Sequence, residues 1–136
     1  IPEQLQRIWE TEEPGEINVP SAEHTRAFCY IDDAVEMLMR IIESNNCSGL
    51  TLNVGTQDPE VTMEHVVETC IQCSEKNLSV QTLAPIVGSP ERRAPDMTLT
   101  NKLIHYRSKV GFEEGIEKTW LWYKNEIFSG GMESAI

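Results

Sequence analysis

Three arginines occupy positions from which they could grip an anionic ligand. Arg26 stands at the head of an apolar segment, directly after a polar loop at residues 21–24, and Arg92 and Arg93 lie in a loop rich in Gly and Pro. Guanidinium groups match phosphate oxygens with two parallel hydrogen bonds, so these residues predict a clamp for a diphosphate. The residues alone leave another interpretation open, in which the arginines face solvent or pair with neighbouring carboxylates, namely Glu23, Glu91 or Asp96.

Other chemistry-bearing patterns are weaker. The four cysteines are too few for a secreted disulfide scaffold, so we expect reduced thiols in a cytoplasmic protein. Cys70 and Cys73 have the C-x-x-C spacing, but no second ligand pair completes a zinc site, and Cys70 falls on the apolar face of a predicted helix. We therefore expect core packing there. The scattered histidines and the absence of H-E-x-x-H, G-x-S-x-G and phosphate-loop motifs predict no catalytic residue and no metal site.

Composition excludes several classes of partner. The 136 residues include 22 Asp and Glu against 11 Lys and Arg, a net charge of −11 that leaves little basic surface for nucleic acid. No apolar run approaches the roughly 18–20 residues of a membrane span, so no membrane partner is predicted. The chain begins at Ile1 without an initiator Met, and we expect it to be part of a longer protein.

The elements that would position the arginines follow from hydrophobic periodicity and turn residues. Alternating helices and short strands indicate an α/β class. Asp32 or Asp33 is expected to cap the second helix, and Asp96 or Thr98 a later short one. The second helix is so broadly apolar that we expect burial against more than one neighbour. Helices are predicted from Pro2, at 34–44, at 62–74, after Asp96 and at 113–128, strands at 16–19, 26–31, 50–54 and 78–83, and a flexible tail at 129–136.

Five segments in order resemble one enzyme family. T-R-A-F-C-Y-I-D-D at residues 25–33 is similar to the T-R-x-F-x-Y-[VI]-x-D segment of nucleotide-sugar epimerases, dehydratases and decarboxylases, which are extended short-chain dehydrogenase/reductases. L-N-V-G at 52–55 resembles their N-[LVI]-G strand end, and E-V-T-M at 60–63 their E-x-T helix start. P-E-R-R-A-P-D at 90–96 resembles their P-x-R-R-x-P-D loop, and V-G-F-E-E-G-I-E-K-T at 110–119 the opening of their final helix. The likeness covers about residues 1–128.

The resemblance implies a small mixed α/β portion from the C-terminal part of such an enzyme. Some of its elements would pack on a Rossmann sheet that this chain does not contain. Family members bind NAD or NADP on an N-terminal Rossmann domain and hold a nucleotide diphosphate-sugar with the C-terminal part. By position, Arg26 and one of Arg92 or Arg93 would grip the pyrophosphate. Asn53 would lie near the diphosphate, and the strand from Asn18 to Pro20 would run past the nucleoside.

The sequence also departs from the family. It has no Tyr-x-x-x-Lys motif and no glycine-rich dinucleotide loop, and I-H-Y-R-S at 104–108 replaces the usual L-G-W-x-P. We therefore read residues 1–128 as the substrate-binding portion of an NAD(P)-dependent enzyme, not catalytic alone, with a UDP-sugar favoured. The resemblance implies a homodimer of the full-length enzyme as one assembly. The alternative is a non-catalytic binding or interaction module derived from the same family.

Overall fold

The structure is a computed structural model, and it describes residues 1–130. Its elements in chain order are α1 (Pro2–Glu10), β1 (Gly15–Pro20), β2 (Thr25–Ala27), α2 (Ile31–Glu43), a 3-10 turn (Asn45–Cys47), β3 (Glu60–Thr62), α3 (Met63–Ser74), β4 (Leu78–Leu83), β5 (Arg92–Arg93), α4 (Thr98–Ile104), α5 (Phe112–Trp122) and a π-helical segment (Tyr123–Phe128). No helix among these residues is both long enough and apolar enough to cross a membrane.

The main core forms around a parallel pair of strands. β1 and β4 pair in register from Gly15 opposite Leu78 to Pro20 opposite Leu83. Because side chains alternate along a strand, Ile17 and Val19 both point into the core and are buried. Helix α3 packs against this pair and against α1 and α5. The buried residues of this core include Leu5, Ile8, Val66, Val67, Cys70, Ile116 and Trp120.

A second, three-stranded sheet carries the arginines. β2 lies in its centre, antiparallel to β3 and parallel to β5. Thr62 ends β3 and caps α3, because its hydroxyl oxygen accepts the His65 backbone N–H at 3.2 Å. The first two N–H groups of α3, those of Met63 and Glu64, donate to the carbonyl oxygens of His24 and Ala22, respectively. The loop before β2 is thereby attached to the start of α3.

Helix α2 packs against one neighbouring core within the described residues. Met37 is its only fully buried apolar side chain, in a small second core with Cys47, Met97, Ile104 and Tyr106. Ile41 is half-buried against the same core, and the remaining large apolar side chains of the helix are exposed, with Ile42 the most open at 76%. Within residues 1–130, α2 is therefore buried on one side only, and burial against a second neighbour stays a prediction. The exposed members are Ile31, Val35, Leu38, Met39 and Ile42.

The structure corrects three local predictions. Residues 50–54 form no strand among the described elements, and the strand predicted at 26–31 ends at Ala27 because α2 already begins at Ile31. Neither Asp32 nor Asp33 caps α2, whose N-cap is Tyr30 without a side-chain hydrogen bond. At the start of α4 the N-cap is Met97, and the Asp96 carboxylate one residue earlier accepts the Thr98 N–H at 2.9 Å. Of the predicted tail, residues 131–136 lie outside the described residues.

Asp33 instead organises the turn that precedes α5. One carboxylate oxygen accepts the Tyr106 hydroxyl at 2.5 Å, and the other accepts the backbone N–H groups of Lys109 at 3.0 Å and Val110 at 2.9 Å. Burial opposes ionisation of this carboxyl, but the three hydrogen bonds outweigh it, and the pKa of Asp33 is lowered. The same hydrogen bond raises the pKa of Tyr106 to about 12.

Candidate functional site

The second sheet distributes the three arginines over its two faces. Arg26 on β2 is the register partner of Arg93 on β5, and Thr25 is the register partner of Arg92. Register partners on adjacent strands point to the same side of a sheet, and successive residues point to opposite sides. Arg26 and Arg93 therefore share one face, and Arg92 projects from the other. The sequence alone could not separate two consecutive arginines in this way.

Arg26 is held by main-chain oxygens. Its Nη2 donates to the Pro90 carbonyl at 2.9 Å, and its Nη1 donates to the Thr25 carbonyl at 2.7 Å and to the Glu91 carbonyl at 3.4 Å. The Thr25 N–H also donates to the Glu91 carbonyl at 2.8 Å, which fixes the approach to β5. No carboxylate in residues 1–130 forms an ion pair with Arg26, so its positive charge is not neutralised by a salt bridge there.

On the opposite face of the sheet, Arg92 forms a bidentate ion pair with Glu60. Its Nε donates to Glu60 Oε2 at 2.8 Å, and its Nη2 donates to Glu60 Oε1 at 2.6 Å. The Thr25 hydroxyl also donates to Glu60, at 3.2 Å. The hydrogen bonds from Arg92 lower the pKa of Glu60, and those to Glu60 raise the pKa of Arg92. Sequence reasoning missed Glu60 as the partner, although the E-x-T motif already contained it.

Arg93 is the exposed member of the pair with Arg26. Its side chain makes no hydrogen bond or ion pair within the described part of the chain, and the nearby carboxylates considered from the sequence, Glu23, Glu91 and Asp96, do not pair with it there. The Asp96 carboxylate is engaged at the start of α4 instead. The shared face of β2 and β5 thus presents two guanidinium groups without a counter-charge in those residues.

The remaining predicted site residues lie on other elements. The side-chain amide of Asn53 donates to the Asp96 carbonyl at 2.9 Å, and the main-chain carbonyl of Asn53 accepts the Thr100 hydroxyl at 2.8 Å. These bonds hold the chain around Asn53 against α4. Asn18 is exposed on β1, and its main-chain oxygen accepts a hydrogen bond from Arg7. Pro20 ends β1 opposite Leu83. None of these side chains makes a contact with Arg26 or Arg93 among the described hydrogen bonds.

A cleft of about 620 Å³ opens beyond the ends of β1 and β4, and its lining includes Ser21, His24, Glu64, Thr82, Leu83 and Glu91. It adjoins Arg26, because Glu91 lines the cleft and its carbonyl accepts from the Arg26 guanidinium. His24 is buried, and its Nδ1 lies 3.4 Å from the Ser89 hydroxyl. The cleft therefore continues from the end of the strand that carries Asn18 and Pro20 toward the arginine face.

Searches among known proteins return enzymes that convert nucleotide sugars. UDP-glucuronic acid decarboxylase 5 of Arabidopsis thaliana is 29% identical over 92 residues, covering 68% of this chain and 26% of that protein. UDP-D-apiose/UDP-D-xylose synthase 1 of the same plant is 27% identical over 131 residues, covering 86% of this chain and 33% of that protein. The resemblance to the nucleotide-sugar epimerase and dehydratase family is confirmed. No protein-family model matches the chain.

Solved structures of that family share the fold. UDP-glucose 4-epimerase of Thermotoga maritima, solved with UDP-glucose, superposes with a TM-score of 0.77 at 20% identity, over 90% of this chain and 38% of that one. UDP-glucuronic acid 4-epimerase of Bacillus cereus, solved with UDP-glucuronic acid and NAD, gives 0.73 at 20% identity over 89% and 38%. The predicted fold class is confirmed in that the structure is mixed α/β and resembles part of the extended short-chain dehydrogenase/reductase fold. The chain spans about a quarter to a third of the length of the curated relatives.

The described residues do not fit a dinucleotide cofactor. No strand among residues 1–130 passes into a helix through a glycine-rich turn, which is the element that seats a pyrophosphate in a Rossmann fold. None of the three tyrosines is followed four positions later by a lysine. No cluster of metal-ligating side chains occurs in the same residues. Two guanidinium groups on one face of a sheet can bind an anion.

Proposed function

We propose that this chain is the substrate-binding portion of an NAD-dependent enzyme that converts a nucleotide diphosphate-sugar. In this proposal Arg26 and Arg93 grip the diphosphate, residues 1–128 form the binding portion, and a UDP-sugar is the favoured ligand. The observation that carries it is the register of β2 and β5, which puts the two arginines on one face of the sheet. The relatives that act on UDP-sugars support the ligand class.

Charge supports the same pair of residues. Within an acidic chain of net charge −11, Arg26 and Arg93 form no ion pair among the described residues, whereas Arg92 has its counter-charge in Glu60. A diphosphate supplies the anionic oxygens that two guanidinium groups bind with charge-assisted hydrogen bonds. We therefore choose Arg93 over Arg92 as the partner of Arg26. Arg92 would instead stiffen the sheet through β3.

The cleft beyond β1 and β4 supports a location for the nucleoside. A nucleotide whose diphosphate lies at Arg26 could extend into this cleft, because Glu91 belongs to both the Arg26 contact and the cleft lining. Pro20 stands at the end of β1, beside this opening, as the sequence suggested for the nucleoside strand. Asn53 is assigned a supporting role only, since its amide is already engaged with Asp96.

The contribution of these residues to the reaction would be binding and orientation. Holding a part of the substrate that does not react supplies free energy for positioning the reacting sugar. NAD, when bound elsewhere in the complete enzyme, would supply hydride transfer, and the described residues take no part in that step. A non-catalytic binding or interaction module derived from the same family is the second candidate function.

Calorimetric titration of the full-length protein with UDP-, dTDP-, GDP- and CDP-sugars tests the proposal. Loss of a hydrogen-bonded charge contact should weaken binding by about 10- to 100-fold in Arg26→Ala and in Arg93→Ala. Arg92→Ala is the matched control from the opposite face and should change the affinity by no more than about threefold. Affinities within about twofold of wild type in both Arg26→Ala and Arg93→Ala would overturn the clamp.

Turnover separates the two candidate functions. Incubation of the full-length protein with NAD and the tightest-binding nucleotide sugar should yield an epimerised, dehydrated or decarboxylated product that chromatography and mass spectrometry can identify. Tight binding with no product under conditions that support a related enzyme would favour the non-catalytic module instead.

A further inference from the structure

His24 contributes an imidazole ring to the lining of the cleft beyond β1 and β4. Only 7% of the residue is exposed, and it stands directly before β2. Its backbone is held on two sides, because its N–H donates to the Ser21 carbonyl at 2.9 Å and its carbonyl accepts the Met63 N–H at 3.0 Å. The start of α3 therefore fixes the position from which the ring meets the cleft.

One ring nitrogen of His24 has a partner, and the other has none within residues 1–130. Nδ1 lies 3.4 Å from the Ser89 hydroxyl. Nε2 takes part in no hydrogen bond or ion pair of these residues. It is also not a fully buried atom, since Asn101 Oδ1 is the only side-chain polar atom there that is both buried and unpartnered. Nε2 thus keeps accessible surface, and the cleft that the ring lines is where a ligand would reach it.

The loop from Ile86 to Ser89 holds the ring in this orientation. The Ile86 N–H donates to the Ser21 hydroxyl oxygen at 2.9 Å, and the Ser89 N–H donates to the Ile86 carbonyl at 3.1 Å. The resulting turn places the Ser89 hydroxyl against His24 Nδ1. Because a hydroxyl both donates and accepts, it complements either neutral tautomer of the ring. Nε2 is therefore oriented before a ligand arrives, which lowers the cost of ordering it on binding.

The rest of the lining suits an uncharged polar group better than a phosphate. No lysine or arginine lines the cleft, whereas three carboxylates do, and none of the three forms an ion pair within the described part of the chain. They belong to Glu23, Glu64 and Glu91. These groups would repel an anion but accept hydrogen bonds from the N–H and O–H groups of a nucleoside. Leu83 and Pro85 add apolar surface for the flat face of a base.

We propose that His24 is a specificity-determining residue that holds the nucleoside of the substrate through Nε2. This inference rests on the proposed function, because it takes the diphosphate to lie at Arg26 and Arg93 and the nucleoside in the adjoining cleft. The guanidinium groups on one side and the carboxylates on the other set the direction in which a nucleotide lies. The His24 contact then gives a nucleotide a hydrogen bond that a simple diphosphate cannot form.

The test compares nucleoside diphosphates with inorganic pyrophosphate as ligands of the full-length protein. UDP, dTDP, GDP and CDP are titrated by calorimetry, and the nucleotide that binds most tightly is carried into the variants. His24→Phe keeps a buried ring without its nitrogens, so it should weaken nucleotide binding about 5- to 20-fold and leave pyrophosphate within about twofold. His24→Gln supplies a side-chain amide and should recover most of the affinity. His65→Phe, at an exposed histidine outside the cleft, is the matched control and should change neither ligand.

Ser89→Ala tests the same contact without altering the buried ring. Loss of the Nδ1 partner should weaken nucleotide binding about three- to fivefold, again with pyrophosphate unchanged. Urea denaturation shows whether His24→Phe is folded under the titration conditions. If it is not, Ser89→Ala decides, and a nucleotide affinity equal to that of the wild type overturns the role of His24.

Arg26→Ala separates this inference from the diphosphate clamp. If Arg26→Ala weakens both ligands while folded His24→Phe and Ser89→Ala bind the nucleotide as the wild type does, the role of His24 is overturned and the clamp stands. If pyrophosphate binding does not depend on Arg26 but His24→Phe still weakens only the nucleotide, the clamp fails and the nucleoside contact stands. If no nucleotide saturates below about 10 mM, both proposals are wrong.

Discussion

Replacing Asp33 with Ala removes the carboxylate around which the turn before α5 is built. The change deprives the Tyr106 hydroxyl and the N–H groups of Lys109 and Val110 of their acceptor. Hydrogen bonds to a charged group contribute about 1.5–3 kcal/mol each, but the three share one acceptor and do not add fully. Because Asp33 and Tyr106 are buried, we expect Asp33→Ala to lower the free energy of unfolding by about 3–5 kcal/mol.

The pH dependence of this loss follows from the direction of two pKa shifts. The folded state lowers the pKa of Asp33 below its ordinary value of 3.8, so the stabilisation is complete above that value and is lost as pH falls through the folded pKa. The difference between wild type and Asp33→Ala should therefore be constant from about pH 5 to pH 8 and shrink below about pH 4. Tyr106, raised from 10 to about 12, keeps its contribution up to pH 10 and loses it as pH rises toward 12.

Urea denaturation followed by far-ultraviolet circular dichroism at several pH values measures both effects. Tyr106→Phe keeps the ring and leaves Asp33 its two backbone donors, so it should cost only about 1–2 kcal/mol at neutral pH. A double-mutant cycle with the two substitutions isolates the hydroxyl–carboxylate bond. A loss below about 1 kcal/mol for Asp33→Ala at pH 7, or an equal loss at pH 3 and pH 7, would refute the reasoning.

Three further outcomes test other parts of the fold. Lys76 donates to three carbonyl oxygens at the end of α1 at 2.7–3.0 Å. Lys76→Met should therefore lower the free energy of unfolding by about 1.5–3 kcal/mol in urea denaturation, whereas Lys124→Met at an exposed position should change it by no more than about 0.5 kcal/mol. Equal effects of the two substitutions would contradict the role of these bonds. Burial raises the pKa of Cys70 to about 12, so iodoacetamide at pH 8 should leave it unmodified in the folded protein, and a carbamidomethyl mass on its peptide would argue against that burial. Met37→Ala should cost about 2–5 kcal/mol and Ile42→Ala about 0.5 kcal/mol or less; a large loss at exposed Ile42 would mean that another surface covers α2.

Several helices and strands could be predicted because the residues that determine them lie within the element itself. α1, α3 and β4 show apolar side chains at helical or alternating spacing, and Pro2 and Thr62 mark helix starts that the structure confirms. The preference for packing over metal chemistry at Cys70 agrees with its full burial against the main core. Such patterns survive into the tertiary structure because each needs only one neighbouring apolar surface.

Other predictions were wrong because the structures concerned depend on groups that lie far away in the sequence. Asp33 has the residue type and position of a helix cap, yet its hydrogen bonds go to a turn more than seventy residues later. The segment at 50–54 has the composition of a strand, but no strand pairs with it among the described residues. A strand forms only beside a partner with free main-chain groups, and a single sequence does not record whether one is present.

For the candidate site, the sequence by itself determined which residue types could bind a diphosphate and that few cations were available for the purpose. Tertiary structure decided how they are used. The parallel register of β2 and β5 places Arg92 and Arg93 on opposite faces of the sheet. Arg92 pairs with Glu60, and Arg93 lies on the same face as Arg26. Packing also left the buried side-chain oxygen of Asn101 without a hydrogen-bond donor within residues 1–130. Charge and hydrogen-bonding capacity are properties of a residue, whereas the face on which it lies and the partner it meets are set by strand register and packing.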